Sequence, residues 1–288
     1  ASTQQPAPMP PPAAALPLPP ATAAGDTAVV VEAPPVATSP EVEAVRSPVR
    51  RISEALLLGI DLETTGLDVE TARVVAVGIA HRRRGLQLGA PTGMMVNPGV
   101  SIPADATAVH GIGDEAVRGA PHFREVGACL APYLACADVV VGYNIAAFDA
   151  PILNAEFERH GLDHSVDADT VLDPLVWLRF HRRNWPSHKL GDVAARYGHR
   201  LPHAHRAPSD AAAAVAVMSG VVAEGIAPDD IDAALTEQVR LRKLLRVARY
   251  DAQPPQGDQA GAAGAAGAGV GAGAGAEAEV EVAAEAAE

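Results

Sequence analysis

The chain has 288 residues, an apolar fraction of 48% and an aromatic fraction of only 3%. Much of the apolar content is therefore alanine, and the composition excludes collagen-like and disulfide-rich proteins, while the absence of an apolar run of ~18 residues excludes a spanning helix. The net charge of −13 does not exclude a nucleic-acid ligand, because affinity for phosphates depends on locally placed Lys and Arg.

All ten aromatic residues lie between Phe123 and Tyr250, and all ten histidines between His81 and His205. One globular unit of about 200 residues with two tails is expected. Residues 1–51 hold 12 of the 25 prolines and read as a disordered Pro/Ala-rich arm without the basic-then-apolar order of a signal peptide. The folded domain is placed at 52–226, a C-terminal helix at 227–252 and a disordered Gly/Ala/Glu-rich tail at 253–288.

Within the domain, the apolar run 56–60 reads as a buried strand. Segments 74–80 and 87–96 read as the next strands, joined by an exposed turn at 81–85. A helix is expected over 123–135, with Phe123, Val126, Leu130, Tyr133 and Leu134 on its apolar face, then a buried strand at 139–141. Further helices are expected at 151–160, 174–182, 189–197 and 209–224, with Gly161 and Gly198 as C-terminal caps. The last helix, 228–250, would start with Pro228, Asp229 and Asp230 and end basic, an order that complements the helix dipole. Strands first, then alternating strand and helix, predict an α/β fold with a central mixed sheet flanked by helices. Cys129 and Cys136, seven apart on one helix, are expected to be buried reduced thiols of a cytoplasmic protein.

Three segments carry chemistry. At Asp61-Leu62-Glu63-Thr64-Thr65-Gly66 a strand delivers two carboxylates to one face, where both can reach one divalent cation. Two solvated acids at a strand end would look the same. At Asn144 to Asp149 a second strand ends and a helix begins, with Asp149 at the junction, where helix capping alone would favour an acid. Phe148 beside it fits core packing better than base stacking. At His205 to Asp210 a loop imidazole precedes a helix whose first turn carries Asp210. A metal ligand and a general base have this arrangement; His203 fits the second role equally well on chemistry alone.

The ordered set Asp-x-Glu-Thr-Thr-Gly (61–66), Asn-x-x-x-Phe-Asp (144–149) and His-x-Ala-x-x-Asp (205–210) resembles the DEDD-type 3′–5′ exonucleases, in the branch with a catalytic histidine. The last pattern selects His205 over His203. Asn97-Pro98 and the stretch from Val109-His110-Gly111 to Glu115 look like the corresponding segment of the epsilon proofreading subunits of bacterial DNA polymerase III. The second motif departs from the epsilon pattern, with Tyr143 before Asn144 and one extra residue before Phe148-Asp149. That spacing is closer to the exonuclease domains of other polymerases.

The resemblance implies a ribonuclease H-like fold and a two-metal site in which Asp61, Glu63, Asp149 and Asp210 hold two Mg²⁺ or Mn²⁺ ions, hard cations suited to all-oxygen ligands. It gives His205 the role of general base, which an imidazole suits at neutral pH. It implies substrate contacts at Thr64, Thr65, Asn144, Phe148 and His110. The expected partner is nucleic acid with a single-stranded 3′ end, DNA favoured over RNA, with association with a DNA polymerase left open and no membrane partner. The same chemistry on RNA or short oligonucleotides, and a non-catalytic scaffold that keeps the fold, are the alternatives.

Overall fold

The computed structural model describes residues 49–201 and 205–252. The tail at 253–288 and nearly all of the arm at 1–51 lie outside these residues, as does His203. The elements in chain order are β1 (Leu56–Thr64), β2 (Val74–Arg83), β3 (Leu86–Gln87), β4 (Thr92–Met95), α1 (Ala104–His110), α2 (Asp114–Val117), α3 (Phe123–Cys136), β5 (Val139–Val141), α4 (Asp149–Arg159), β6 (Val171–Leu172), α5 (Pro174–His181), α6 (Leu190–Arg196), α7 (Ala207–Ala223) and α8 (Ile231–Ala252).

The sheet is mixed, in the order β3-β2-β1-β5-β6, with β4 also paired to β2. β1 pairs antiparallel to β2 and parallel to β5, and β5 pairs parallel to β6. Side chains alternate along β1, and the two faces bury different cores. Leu58, Ile60 and Leu62 pack with Phe123, Val126 and Leu130 of α3 and Ile152 and Phe157 of α4. On the other face, Leu57 joins Val215, Val217 and Met218 of α7 and Leu175 and Trp177 of α5. Asp61 and Glu63 share the α7 face by the same alternation.

Two glycines decide how closely α7 can lie on that face. A Cβ on Gly59 would stand 2.4 Å from the Ala211 carbonyl oxygen, and one on Gly78 would stand 2.0 Å from the Ala207 carbonyl carbon. Gly78 is the register partner of Asp61. The start of α7 therefore sits directly on the strand pair that carries the acids.

Several expectations change. The strand placed at 87–96 is two short strands, because Gly89 takes a left-handed φ of 75° and Pro91 follows, breaking the ladder. β1 and β2 extend beyond 60 and 80, which reduces the turn to Arg84-Gly85. α4 starts at Asp149, earlier than expected, and α8 starts at Ile231, because Asp230 accepts the Ala233 N–H at 2.9 Å as the cap, leaving Pro228 outside. Gly161 and Gly198 do terminate helices with positive φ, at 63° and 75°. Cys129 and Cys136 are exposed. The buried stripe of α3 is Phe123, Val126, Gly127 and Leu130, and both thiols fall opposite it. Tyr133 also leaves the apolar face and stacks obliquely on His81, ring centroids 5.5 Å apart.

Residues 50–53 are tied to the start of α8: the Arg50 carbonyl accepts the Ile231 N–H at 2.8 Å, and Asp229 accepts from Arg51 and Ser53. Among the described residues, no helix is long and apolar enough to cross a membrane.

Candidate active site

β1 ends in Asp61, Glu63 and Thr64, and α7 brings Asp210 on its first turn. Carboxylate oxygens of Asp61, Glu63 and Asp210 lie within 4.8 Å of one another. Glu63 and Asp210 are buried, yet Glu63 Oε1 and Asp210 Oδ1 have no hydrogen-bond partner. Buried acceptors are ordinarily satisfied, so two orphaned carboxylate oxygens facing a third acid fit a bound cation. An all-oxygen donor set of this kind suits a hard divalent ion.

Asp149, 3% exposed, lies at the head of α4 outside this three-acid group. Its Oδ1 accepts the Leu62 N–H at 3.1 Å, between Asp61 and Glu63. Its charge acts on both neighbours. The Asp61 carboxyl is pushed well above the usual range by burial and then by Asp149, Asp210 and Glu63. Burial likewise raises Glu63, with Asp210 and Asp149 adding to it, while an N–H of Ala207 opposes the shift. Burial raises Asp149 and Asp210 as well. Four carboxyls that resist ionising together are a site short of positive charge.

Main-chain amides tie the loop before α7 to its first turn: the N–H groups of His205 and Arg206 bond the Asp210 carboxylate, the second at 3.2 Å. His205 is half-buried with a left-handed φ of 62°, and Asn144 has φ 63°. These are two of the three non-glycine residues with positive φ among the described residues. Such backbone costs about 1–2 kcal/mol per residue and concentrates at functional sites.

His110 lies against the end of β1. Its Nδ1 accepts the Ile112 N–H at 3.0 Å, so its Nε2 donates to the Thr64 carbonyl at 3.3 Å. Burial lowers its pKa; the Thr64 carbonyl opposes that and the charge of His205 adds to it. The Thr64 hydroxyl donates to the Gly66 carbonyl at 2.7 Å, while Thr65 exchanges main-chain and side-chain hydrogen bonds with Arg73 at 2.9 Å. The Arg73 guanidinium in turn binds the buried carboxylate of Glu156 on α4 at 2.6 Å. The helix that begins with Asp149 is thereby clamped to the turn that follows Glu63. Phe148 packs onto the α3–α4 core. Asn144, 8% exposed, donates its main-chain N–H to Asp173 at 3.0 Å.

Glu156 and Asp173 escape a reading of motifs. For Asp173 a local signal exists, the Asp-Pro pair of a capped helix start, but nothing local joins it to Asn144.

The stretch from β1 to α7 that contains all these acids matches one family's sequence pattern, RNase_T exonuclease, over residues 58–218. The chain belongs to the RNase_T exonuclease family. It is 32% identical over 162 residues to the PolC-type DNA polymerase III of Streptococcus sanguinis, covering 56% of this chain and 11% of that protein. To the same polymerase of Latilactobacillus sakei it is 32% identical over 151 residues, covering 52% and 10%. The chain thus spans about a tenth of the length of these curated relatives. Among solved structures, Escherichia coli Exonuclease I in complex with a dT13 oligonucleotide aligns with a TM-score of 0.52 and 20% identity, over 68% of this chain and 44% of that one. At that identity the likeness is one of fold, and it agrees with the mixed sheet flanked by helices.

Proposed function

We propose that the chain is a metal-dependent 3′–5′ exonuclease that hydrolyses terminal phosphodiesters of DNA and releases nucleoside 5′-monophosphates. The observation that carries this reading is the group of Asp61, Glu63 and Asp210 oxygens within 4.8 Å, two of them buried without partners. Asp61, Glu63, Asp149 and Asp210 would hold two Mg²⁺ or Mn²⁺ ions. Bound there, the cations would supply the positive charge that activates water and stabilises the leaving 3′-oxygen.

The remaining work falls to the chain's own residues. His205 takes the proton of the attacking water, and its backbone is tied by main-chain amides to Asp210, one of the site acids. His110, with Nε2–H on the Thr64 carbonyl, borders the turn where the terminal nucleotide would lie, with Thr64, Thr65, Asn144 and Phe148 as its other contacts. The likeness to PolC-type polymerases supports DNA as substrate and a polymerase as partner, and action in the cytoplasm belongs to the same proposal.

The test is digestion of 5′-labelled single-stranded DNA and matched RNA with Mg²⁺, Mn²⁺ or EDTA, alongside Asp61→Ala and His205→Ala. Shortening from the 3′ end that needs metal and disappears in both variants is the expected result, with DNA the faster substrate. Intact substrate under every metal, or cleavage that survives Asp61→Ala, would refute it.

A further inference from the structure

The side-chain amide of Gln238, on α8 and beyond the matched segment 58–218, is completely buried against β6. Its Oε1 accepts the Asp173 N–H at 2.7 Å and its Nε2 donates to the Val171 carbonyl at 2.8 Å. β6 is the last strand of the sheet. One side chain therefore satisfies two main-chain groups that an edge strand leaves open, as a neighbouring strand would.

The chain of contacts continues inward. Asp173 Oδ1 accepts two main-chain N–H groups at 3.0 Å, from Leu175 in the first turn of α5 and from Asn144. Asn144 is the residue held at φ 63°. Its carbonyl accepts the N–H groups of Ala147 and Phe148 at 3.1 Å, and the next residue is Asp149 at the head of α4. Asp149 closes the path on Leu62 of β1.

We propose that Asp173 and Gln238 are positioning residues of the exonuclease site. They set the Asn144 turn and through it the placement of Asp149 against Asp61 and Glu63, which makes α8 a working part of the catalytic unit. The proposal rests on the reading of Asp149 as one of the site acids. If Asp173 served only to cap α5, its loss would lower stability and leave turnover by the folded molecules unchanged.

The experiment uses the full chain with Gln238→Leu, Asp173→Ala, Asp173→Asn and the double variant Asp173→Ala/Gln238→Leu. It measures kcat and KM separately on a 5′-labelled oligonucleotide, and the rise in Tm produced by Mn²⁺ without substrate. A misplaced catalytic group typically costs up to about a hundredfold, so Gln238→Leu should lower kcat about tenfold and Asp173→Ala between about tenfold and a hundredfold. KM should stay within about threefold, the signature of a lost arrangement of reacting groups. Both variants should show a smaller Mn²⁺-induced rise in Tm. Asp173→Asn, which keeps an acceptor oxygen, should recover most of the activity, and the double variant should be no worse than Asp173→Ala.

Wild-type kcat and an unchanged Mn²⁺ response in folded Gln238→Leu would overturn the proposal, and so would penalties that multiply in the double variant. Should Asp173→Ala fail to fold, Gln238→Leu and Asp173→Asn decide. A wild-type chain that cleaves nothing, while the Mn²⁺ response still falls in the variants, would refute the exonuclease reading and support the positioning role.

Discussion

Burial removes water from both Glu63 and Asp210; the charge of Asp210 also opposes ionisation of Glu63 and Asp61, while the His205 and Arg206 N–H groups favour its own. Function and stability therefore pull apart at these residues. Asp210→Asn keeps the shape of the side chain and the acceptor for the Arg206 N–H while deleting one like charge. Its kcat is expected to fall about a thousandfold or more, since residues that act as a unit fail together. In EDTA, however, the variant should melt higher than wild type, by about 2–4 °C for each kcal/mol of repulsion relieved. Melting curves and single-turnover rates on the same preparation check both halves, and a lower Tm in EDTA would contradict the charge-repulsion account.

The acids meet because two elements touch closely. α7 approaches the β1–β2 pair only where Gly59 and Gly78 leave room, and a Cβ at Gly78 would meet main-chain atoms of Ala207 and Pro208 that cannot turn aside. Gly78→Ala should push the first turn of α7, and Asp210 with it, away from Asp61. Overpacking of this kind costs about 1–3 kcal/mol, while a shift near 1 Å can cost about a hundredfold in rate. Activity should therefore fall much further than stability, whereas Gly119→Ala, with open space around its Cβ, should change neither. The sequence pattern placed these elements well where periodicity was strong: alternation along β1 put Asp61 and Glu63 on one face, and the Pro208-Ser209-Asp210 start gave α7. It failed where an element buries little. α1 has no buried residue and β6 is two residues long, so neither leaves a period to read. The ties through Asp173–Gln238 and Arg73–Glu156 join residues 65 and 83 positions apart, and no local pattern encodes them.

For the molecule as a whole, this acid cluster predicts an unusual dependence of stability on pH. A carboxyl whose pKa is higher in the folded than in the unfolded chain binds more protons when folded, so stability falls as pH rises through the interval between the two values. Glu63 is pushed up to about 8, and Asp61 well above its ordinary value. The histidines work the other way: burial lowers His81, His110 and His199, so they favour folding increasingly as pH rises through the acid side of ~6.5 and contribute little change above it. Between pH 7 and 8.5 the carboxyls should dominate, and in EDTA the Tm should drop by about 3–6 °C. A divalent cation replaces the protons as the source of positive charge. It should raise Tm more at pH 8.5 than at pH 7 and flatten the slope. Asp61→Asn should show a shallower slope in EDTA and a weaker response to Mg²⁺. Melting curves at the two pH values, with EDTA or with Mg²⁺, separate the possibilities. Equal Tm values in EDTA would mean that the carboxyls ionise freely in the folded chain, and a Mg²⁺ response untouched by Asp61→Asn would place the cation elsewhere.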